Sequence, residues 1–137
     1  MFKISPVQDK SLQKKYAEAC GVACHEELFA YAMIDQESGE LMGFSEFDIS
    51  KECGYIMTLR SRLGYSDFEA MFILGRATMN FIDLCGNHTC KASKDAAEEK
   101  LIRSIGFKLT EDGEFFADMT NMFSGHCDGK NVSLDEK

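Results

Sequence analysis

The sequence predicts an α/β (α+β) fold in which helices cover a mixed central sheet. Short runs with strand composition alternate with amphipathic or apolar helical runs, and no internal repeat or linker interrupts them. The chain has 137 residues, enough to bury roughly two-thirds of its unfolded surface in one core. We therefore expect a single domain over residues 1–123 and a polar, glycine-containing tail over residues 124–137.

Strand signals recur along the chain as runs rich in β-branched and aromatic residues, bounded by turn residues. The predicted strands cover residues 2–5, 29–34, 41–49, 55–59, 88–92, 107–110 and 114–119. Gly39 and the pair Asp112-Gly113 mark two hairpin turns. Pro6 indicates that the first strand lies at a sheet edge, where it or the last hairpin could pair with a second copy in a homodimer.

Three helices are predicted, and residues 22–27 form either a connector or a further short helix. The first covers residues 11–20 and the third residues 93–106, which end at Gly106. The second runs from residue 68 to residue 85, and its start is predicted at a capping box formed by Ser66 and Glu69. Although this helix is mostly apolar, charges interrupt it too often for a membrane span.

The charge balance is acidic, with 15 Lys and Arg against 23 Asp and Glu and a net charge of −8. Such a chain repels phosphate backbones, so we expect no nucleic-acid partner, whereas a cationic small molecule would be attracted. The first nine residues lack the charged and apolar pattern of a leader, which predicts a cytoplasmic protein with its six cysteines as free thiols.

A group of soft ligands raises the question of a metal. Cys20, Cys24 and His25 fall within six residues, and His126-Cys127 could complete a set of four. The spacing between the first two cysteines is atypical for zinc, and cysteines are commonly buried as small apolar residues. We expect no metal, with a thiol or metal protein as the weakest of three hypotheses.

Two segments resemble the GCN5-related N-acetyltransferase superfamily. One is the strand, glycine loop and apolar helix over residues 55–86; the other is the helix over residues 97–107, which ends in Gly106-Phe107. The resemblance implies transfer of an acetyl group from acetyl-CoA to an amine, here a small-molecule amine, by direct attack with a general base and an acid for the departing thiolate.

The resemblance also implies where acetyl-CoA binds. The strand would offer backbone donors to the acetyl carbonyl and pantetheine, and the loop would hold the pyrophosphate at the helix N-terminus, where free amides and the helix dipole attract anions. If Gly64 is the first glycine of the family pattern, Ser61 and Ser66 stand at its flanking positions. The implied coenzyme-binding residues are Met57, Thr58, Leu59, Arg60, Ser61, Arg62, Gly64, Tyr65 and Ser66.

Glu46 is the candidate general base. It alternates with Phe44 and Phe47 along a predicted strand, which could aim its carboxylate at the cleft beside the central strand. There it would take the proton of the amine, directly or through water. Asp48 is the nearest competitor.

A second hypothesis is a binding or regulatory protein that keeps this fold without the chemistry. Many relatives carry a proton-donating tyrosine four residues before the Gly-Phe glycine, and Ile102 stands at that position here. Asp67 and Glu69 also place negative charge where a pyrophosphate would bind. Turnover with amines separates the two hypotheses.

Overall fold

The computed structural model describes residues 1–50, 52–120 and 122–123. Within these residues a seven-stranded sheet is flanked by three helices. No helix in the described ranges is long and apolar enough to cross a membrane. The predicted tail over residues 124–137 lies outside the described residues.

The sheet is mixed, as predicted. The elements in chain order are β1 (Phe2–Pro6), α1 (Lys10–Ala19), β2 (Phe29–Asp35), β3 (Leu41–Ile49), β4 (Gly54–Ser61), α2 (Phe68–Leu84), β5 (Thr89–Ala92), α3 (Glu99–Ser104), β6 (Lys108–Leu109) and β7 (Phe115–Asp118). The strand order is β1-β2-β3-β4-β5-β7-β6. Among the strands of the described residues, only β4 and β5 run parallel, and the other neighbouring pairs are antiparallel.

Helices cover both faces of the sheet, which confirms the predicted layers. On one face α1 packs over a small core that includes Ala17, Ala32 and Phe44. On the other face α2 and α3 enclose the larger core, with Leu74 and Ile102 among its buried residues. This burial of apolar side chains on both faces is the main favourable contribution to folding.

The predicted capping box of the long helix is wrong. α2 begins at Phe68, and its N-cap is Asp67 rather than Ser66, because the Asp67 carboxylate accepts the amide of Ala70 at 3.0 Å. Asp67 also accepts the hydroxyl of Tyr65 at 3.3 Å, which holds it in the capping position. Both residue types are good caps, and here the carboxylate of Asp67 takes the capping position.

Two predicted boundaries near the site also differ. β4 continues to Ser61, because Arg60 and Ser61 pair with Phe44 and Gly43 of β3, so both residues lie in the strand and not in the loop. The third helix is short, since residues 93–98 form turns and α3 starts at Glu99. Ser93 causes this difference: its hydroxyl accepts the Asp95 amide at 3.1 Å, a local bond that competes with helix formation.

Candidate functional site

A cleft of about 160 Å³ opens where β4 ends and where α2 and α3 begin. Its walls include Leu59, Arg60, Ser61, Ser66, Phe68 and Glu98. Four of the predicted coenzyme-binding residues therefore come together: Leu59, Arg60, Ser61 and Ser66. The volume is smaller than the roughly 300–1,000 Å³ of a pocket for a drug-sized ligand, so the cleft suits one part of a larger molecule.

Unused donors face this cleft. Among the described residues, the amides of Ser66 and Phe68, two residues that line the cleft, have no hydrogen-bond partner, and they stand at the positive end of the 17-residue α2. Arg60 donates through Nη2 to the Asp95 carbonyl at 2.7 Å. A guanidinium has five N–H groups, so this bond leaves donors for an anion. The arrangement is suited to phosphate oxygens.

The remaining loop residues do not line the cleft. Arg62 donates through Nε to the Leu41 carbonyl at 2.7 Å and lies 3.6 Å from Glu40, and Gly64 is exposed. Tyr65 donates to Asp67, and burial, followed by the Asp67 charge, raises the pKa of its phenol. Both side chains therefore have partners within the protein.

The segment after β5 runs beside the end of β4. β4 and β5 pair only from Gly54 to Ile56. Beyond that point the Ser93 amide donates to the Ile56 carbonyl at 2.9 Å, and the Leu59 amide donates to the Ala96 carbonyl at 2.9 Å. The backbone donor of Leu59 is thus occupied. Among the residues implied to contact the acetyl group and pantetheine, Met57 is half-buried and Thr58 is buried.

Glu46 is fully buried in β3, on the sheet face that α1 covers. Its Oε2 accepts the side-chain amide of Gln13 at 3.0 Å and the backbone amide of His25 at 2.9 Å. Its Oε1 accepts the Thr58 hydroxyl at 3.1 Å and lies 3.0 Å from Nδ1 of His25. The register of β3 against β4 shifts immediately after Glu46, so this carboxylate lies at the irregularity of the central strand pair.

Gln13 fixes the orientation of this cluster. Its Oε1 accepts the Lys10 ammonium at 2.9 Å, so its Nε2 must face Glu46. The two Nε2 hydrogens go to Glu46 and to the His25 carbonyl, the latter at 3.0 Å. With this amide, the His25 backbone and Thr58 all donating, the site suits a carboxylate that only accepts hydrogen bonds.

His25 is a functional residue that the sequence did not connect with Glu46. The Cys20–His25 spacing drew attention to metal binding, yet within the described residues no three metal-ligating side chains form a group that could hold an ion. His126 and Cys127 lie outside the described residues. Burial raises the pKa of the Cys20 thiol to about 11 and also raises that of Cys24, so both are thiols near neutral pH.

The other two candidate residues, Asp48 and Ile102, lie away from the cleft and from the Glu46 carboxylate. Asp48 is exposed on β3 beyond the register shift. Ile102 is 1% exposed and belongs to the core between α2 and α3. Neither can exchange a proton inside the cleft: the first is on the surface, and the second carries no acidic hydrogen.

Comparisons with known proteins identify the fold. No protein-family model matches the chain, and no curated protein matches it in sequence. One similar solved structure is a chain of the NatC complex bound to Gag peptide and CoA, at 12% identity, with a TM-score of 0.66 over 88% of this chain and 99% of that one. The ribosomal-protein-S18-alanine N-acetyltransferase from Escherichia coli, at 14% identity, gives 0.65 over 87% and 94%.

A third similar structure, from Desulfovibrio desulfuricans, is described as an acetyltransferase of the GNAT family. It is 10% identical, with a TM-score of 0.64 over 87% of this chain and 99% of that one. At such identities the likeness establishes the fold. The chain therefore has the fold of the GCN5-related N-acetyltransferases, which confirms the predicted architecture.

Proposed function

From this fold, we propose that the protein is an N-acetyltransferase that moves an acetyl group from acetyl-CoA to the amine of a small molecule. The observation that carries the proposal is the cleft at the start of α2, where two residues with unpartnered amides, Ser66 and Phe68, and Arg60 line one small volume. Free helix-terminal amides beside a guanidinium attract a phosphate group. The solved NatC complex, which has a similar fold, contains CoA.

In this proposal the cleft takes the pyrophosphate of the coenzyme. Arg60 and the amides of Ser66 and Phe68 hold the phosphate oxygens. The Asp67 carboxylate is less repulsive than its charge suggests, because Ala70 and Tyr65 donate to its two oxygens. The pantetheine arm then extends along β4 towards Thr58, which requires the Leu59 amide to exchange the Ala96 carbonyl for the coenzyme.

The chemistry takes place beside the Glu46 cluster. The free amine attacks the thioester carbonyl carbon, so a C–N bond forms and the C–S bond breaks. The amine gives up one proton to a general base of the cluster around Glu46. Coenzyme A leaves as a thiolate and takes a proton from solvent, because Ile102 has none to give and the Tyr65 hydroxyl donates to Asp67.

The charge of the protein supports the choice of an amine as the acetyl acceptor. A net charge of −8 attracts an ammonium ion, which argues for a small cationic amine and against a nucleic acid. The proposal places this reaction in the cytoplasm. A homodimer would use β1 or β6, which are the outermost strands of the sheet.

Calorimetric titration with acetyl-CoA tests the proposal, with the two neighbouring arginines compared singly. We expect a micromolar Kd, equivalent to about 8 kcal/mol. Arg60→Ala should weaken binding at least tenfold, about 1.4 kcal/mol. Arg62→Ala is the matched control and should change the Kd by less than about threefold, because Arg62 bonds to the Leu41 carbonyl outside the cleft.

Two results would contradict these expectations. No heat and no rise in melting temperature with millimolar acetyl-CoA would refute the proposed function. Equal losses of affinity for acetyl-CoA in the Arg60 and Arg62 variants would indicate that the phosphates bind at the loop and not in the cleft.

A binding protein without turnover is the second candidate. The bond between the Leu59 amide and the Ala96 carbonyl favours it, because this bond occupies a backbone position that the coenzyme would use. A protein of this kind would bind acetyl-CoA but release no coenzyme A with tyramine, spermidine or glucosamine. Release above the rate of hydrolysis would exclude it.

A further inference from the structure

We infer that His25 is the catalytic base of the proposed transfer and that Glu46 is the residue that positions it. This inference rests on the proposed function, and it names the atom that receives the proton of the amine: Nε2 of His25. Four geometric observations support it: the burial of Glu46, the donors around its carboxylate, the position of the imidazole and the link to β4.

Glu46 is too enclosed to meet an amine itself. It is 0% exposed, and both of its oxygens already receive donors from the protein. A general base must come within hydrogen-bond reach of the proton that it removes, or within reach of one bridging water. The proton must therefore pass through a group that contacts both Glu46 and solvent.

His25 is that group. Its Nδ1 lies 3.0 Å from Oε1 of Glu46, and 31% of its side chain is exposed. Within the described residues Nε2 has no hydrogen-bond partner. The imidazole thus joins the buried carboxylate to the surface.

The hydrogen-bond donors around Glu46 also determine the tautomer of His25. An ionised carboxylate only accepts hydrogen bonds, so Nδ1 of His25 must carry the hydrogen that it shares with Oε1. In the neutral ring Nε2 is then the unprotonated nitrogen, with its lone pair available to a proton. A carboxylate behind an imidazole also stabilises the imidazolium that forms when the proton arrives.

Thr58 places this base beside the central strand. Its hydroxyl and Nδ1 of His25 contact the same carboxylate oxygen, so the imidazole lies next to β4 where the register with β3 shifts. The proposed path of the acetyl group ends at this part of β4. The amine proton goes to Nε2 as the C–N bond forms, and His25 later returns it to solvent.

The charged and titratable groups around the imidazole of His25 come from three elements. Glu46 faces it from β3, and Glu26 and the Cys24 thiol lie in its own loop. Lys10 and Lys14 of α1 are close enough to act on Cys24, and Lys10 bonds to the Leu28 carbonyl at 2.9 Å.

Glu46→Gln gives a sharp test because the cluster orients the new amide. Gln13 and the His25 backbone both donate to the Oε2 position, so the carbonyl oxygen of the new amide must stand there. Its NH₂ group then occupies the Oε1 position and donates to Nδ1 of His25. The His25 ring must then change to the tautomer that carries hydrogen on Nε2. In that tautomer Nε2 cannot accept the proton of the amine.

The experiment measures the tautomer of His25 and the rate of turnover separately. Long-range ¹H–¹⁵N correlation spectra of the full chain at about pH 8, where imidazoles are mostly neutral, should show hydrogen on Nδ1 of His25 in the wild type. In Glu46→Gln the hydrogen should be on Nε2. Turnover is followed as release of coenzyme A with tyramine, spermidine and glucosamine.

The expected rates follow from the role of the base. His25→Gln should lower kcat by about 10²- to 10⁴-fold while the Kd for acetyl-CoA and the melting temperature stay near those of the wild type. The matched control is His88→Gln. His88 also has Nδ1 close to a carboxylate, 2.6 Å from Asp83, but on the exposed surface at the end of α2, so this variant should keep the wild-type rate.

Two results would overturn the inference alone: wild-type turnover retained in His25→Gln, or hydrogen on Nε2 of His25 in the wild type. The second measurement needs no variant, so it decides even if Glu46→Gln fails to fold. A wild-type protein that binds acetyl-CoA and acetylates none of the amines would instead refute the proposed function, and the base role with it.

Discussion

Replacing Gln13 by leucine should destabilise the protein far more than a typical glutamine substitution on a helix. Gln13 is 0% exposed, and its amide donates to the Glu46 carboxylate and to the His25 carbonyl. A hydrogen bond to a charged group contributes about 1.5–3 kcal/mol and a neutral one about 0.5–1.5 kcal/mol. Leucine has a similar size but no donor, so the expected loss is about 2–4.5 kcal/mol.

Urea unfolding followed by circular dichroism measures this loss, provided that the m-value stays unchanged. Gln8→Leu is the matched control, because Gln8 is exposed, and it should change the free energy of unfolding by less than about 0.5 kcal/mol. A loss below about 1 kcal/mol for Gln13→Leu would contradict the reasoning, since it would mean that the Glu46 carboxylate does not depend on this donor.

Two further predictions concern packing and thiol chemistry. Gly54→Ala should destabilise the protein by about 1–3 kcal/mol in the same urea assay, because the new methyl group would meet the branched side chain of Ile82 on α2. Gly43→Ala should cost less, since it meets the flexible end of a methionine; a larger loss for Gly43→Ala would contradict this ranking. Iodoacetamide at about pH 8 should alkylate the exposed Cys85 quickly and the buried Cys20, whose thiol has a pKa of about 11, slowly; peptide mass mapping would show the reverse order if the burial is wrong.

The hairpins followed from local pattern because local chemistry determines them. The turn at Asp112-Gly113 needs a residue that tolerates the left-handed region, and Gly113 has φ 84°. Runs with strand composition between turn residues identified β2 and β3 within one or two residues of their bounds. Such features require no knowledge of distant contacts.

Element ends were less predictable, because neighbouring residues can compete for one capping position and contacts with a distant strand can replace a turn of helix. Ser66 and Asp67 are both good N-caps, and Asp67 takes the position with help from Tyr65. Residues 93–98 have a helical pattern, yet their carbonyls are used beside β4, where Ala96 accepts the Leu59 amide. No sequence pattern reports this pairing.

The cluster around Glu46 shows what a sequence can and cannot give. Alternation along the strand pointed to Glu46, but its partners Gln13 and His25 lie 33 and 21 residues away in the chain. Their approach depends on how α1 and the following loop lie on β3. A polar residue at a buried helix position, here Gln13 one turn before Ala17, is the signal that could have predicted a buried acceptor.

The measurement that tests the central claim most directly is a ¹H–¹⁵N spectrum of the protein titrated with acetyl-CoA. The account predicts shifts at the amides of Ser66 and Phe68, at Leu59 as its bond to Ala96 is exchanged, and at His25. The amide of His88 should stay unchanged. Shifts confined to other parts of the surface, or no shifts at millimolar acetyl-CoA, would contradict the account.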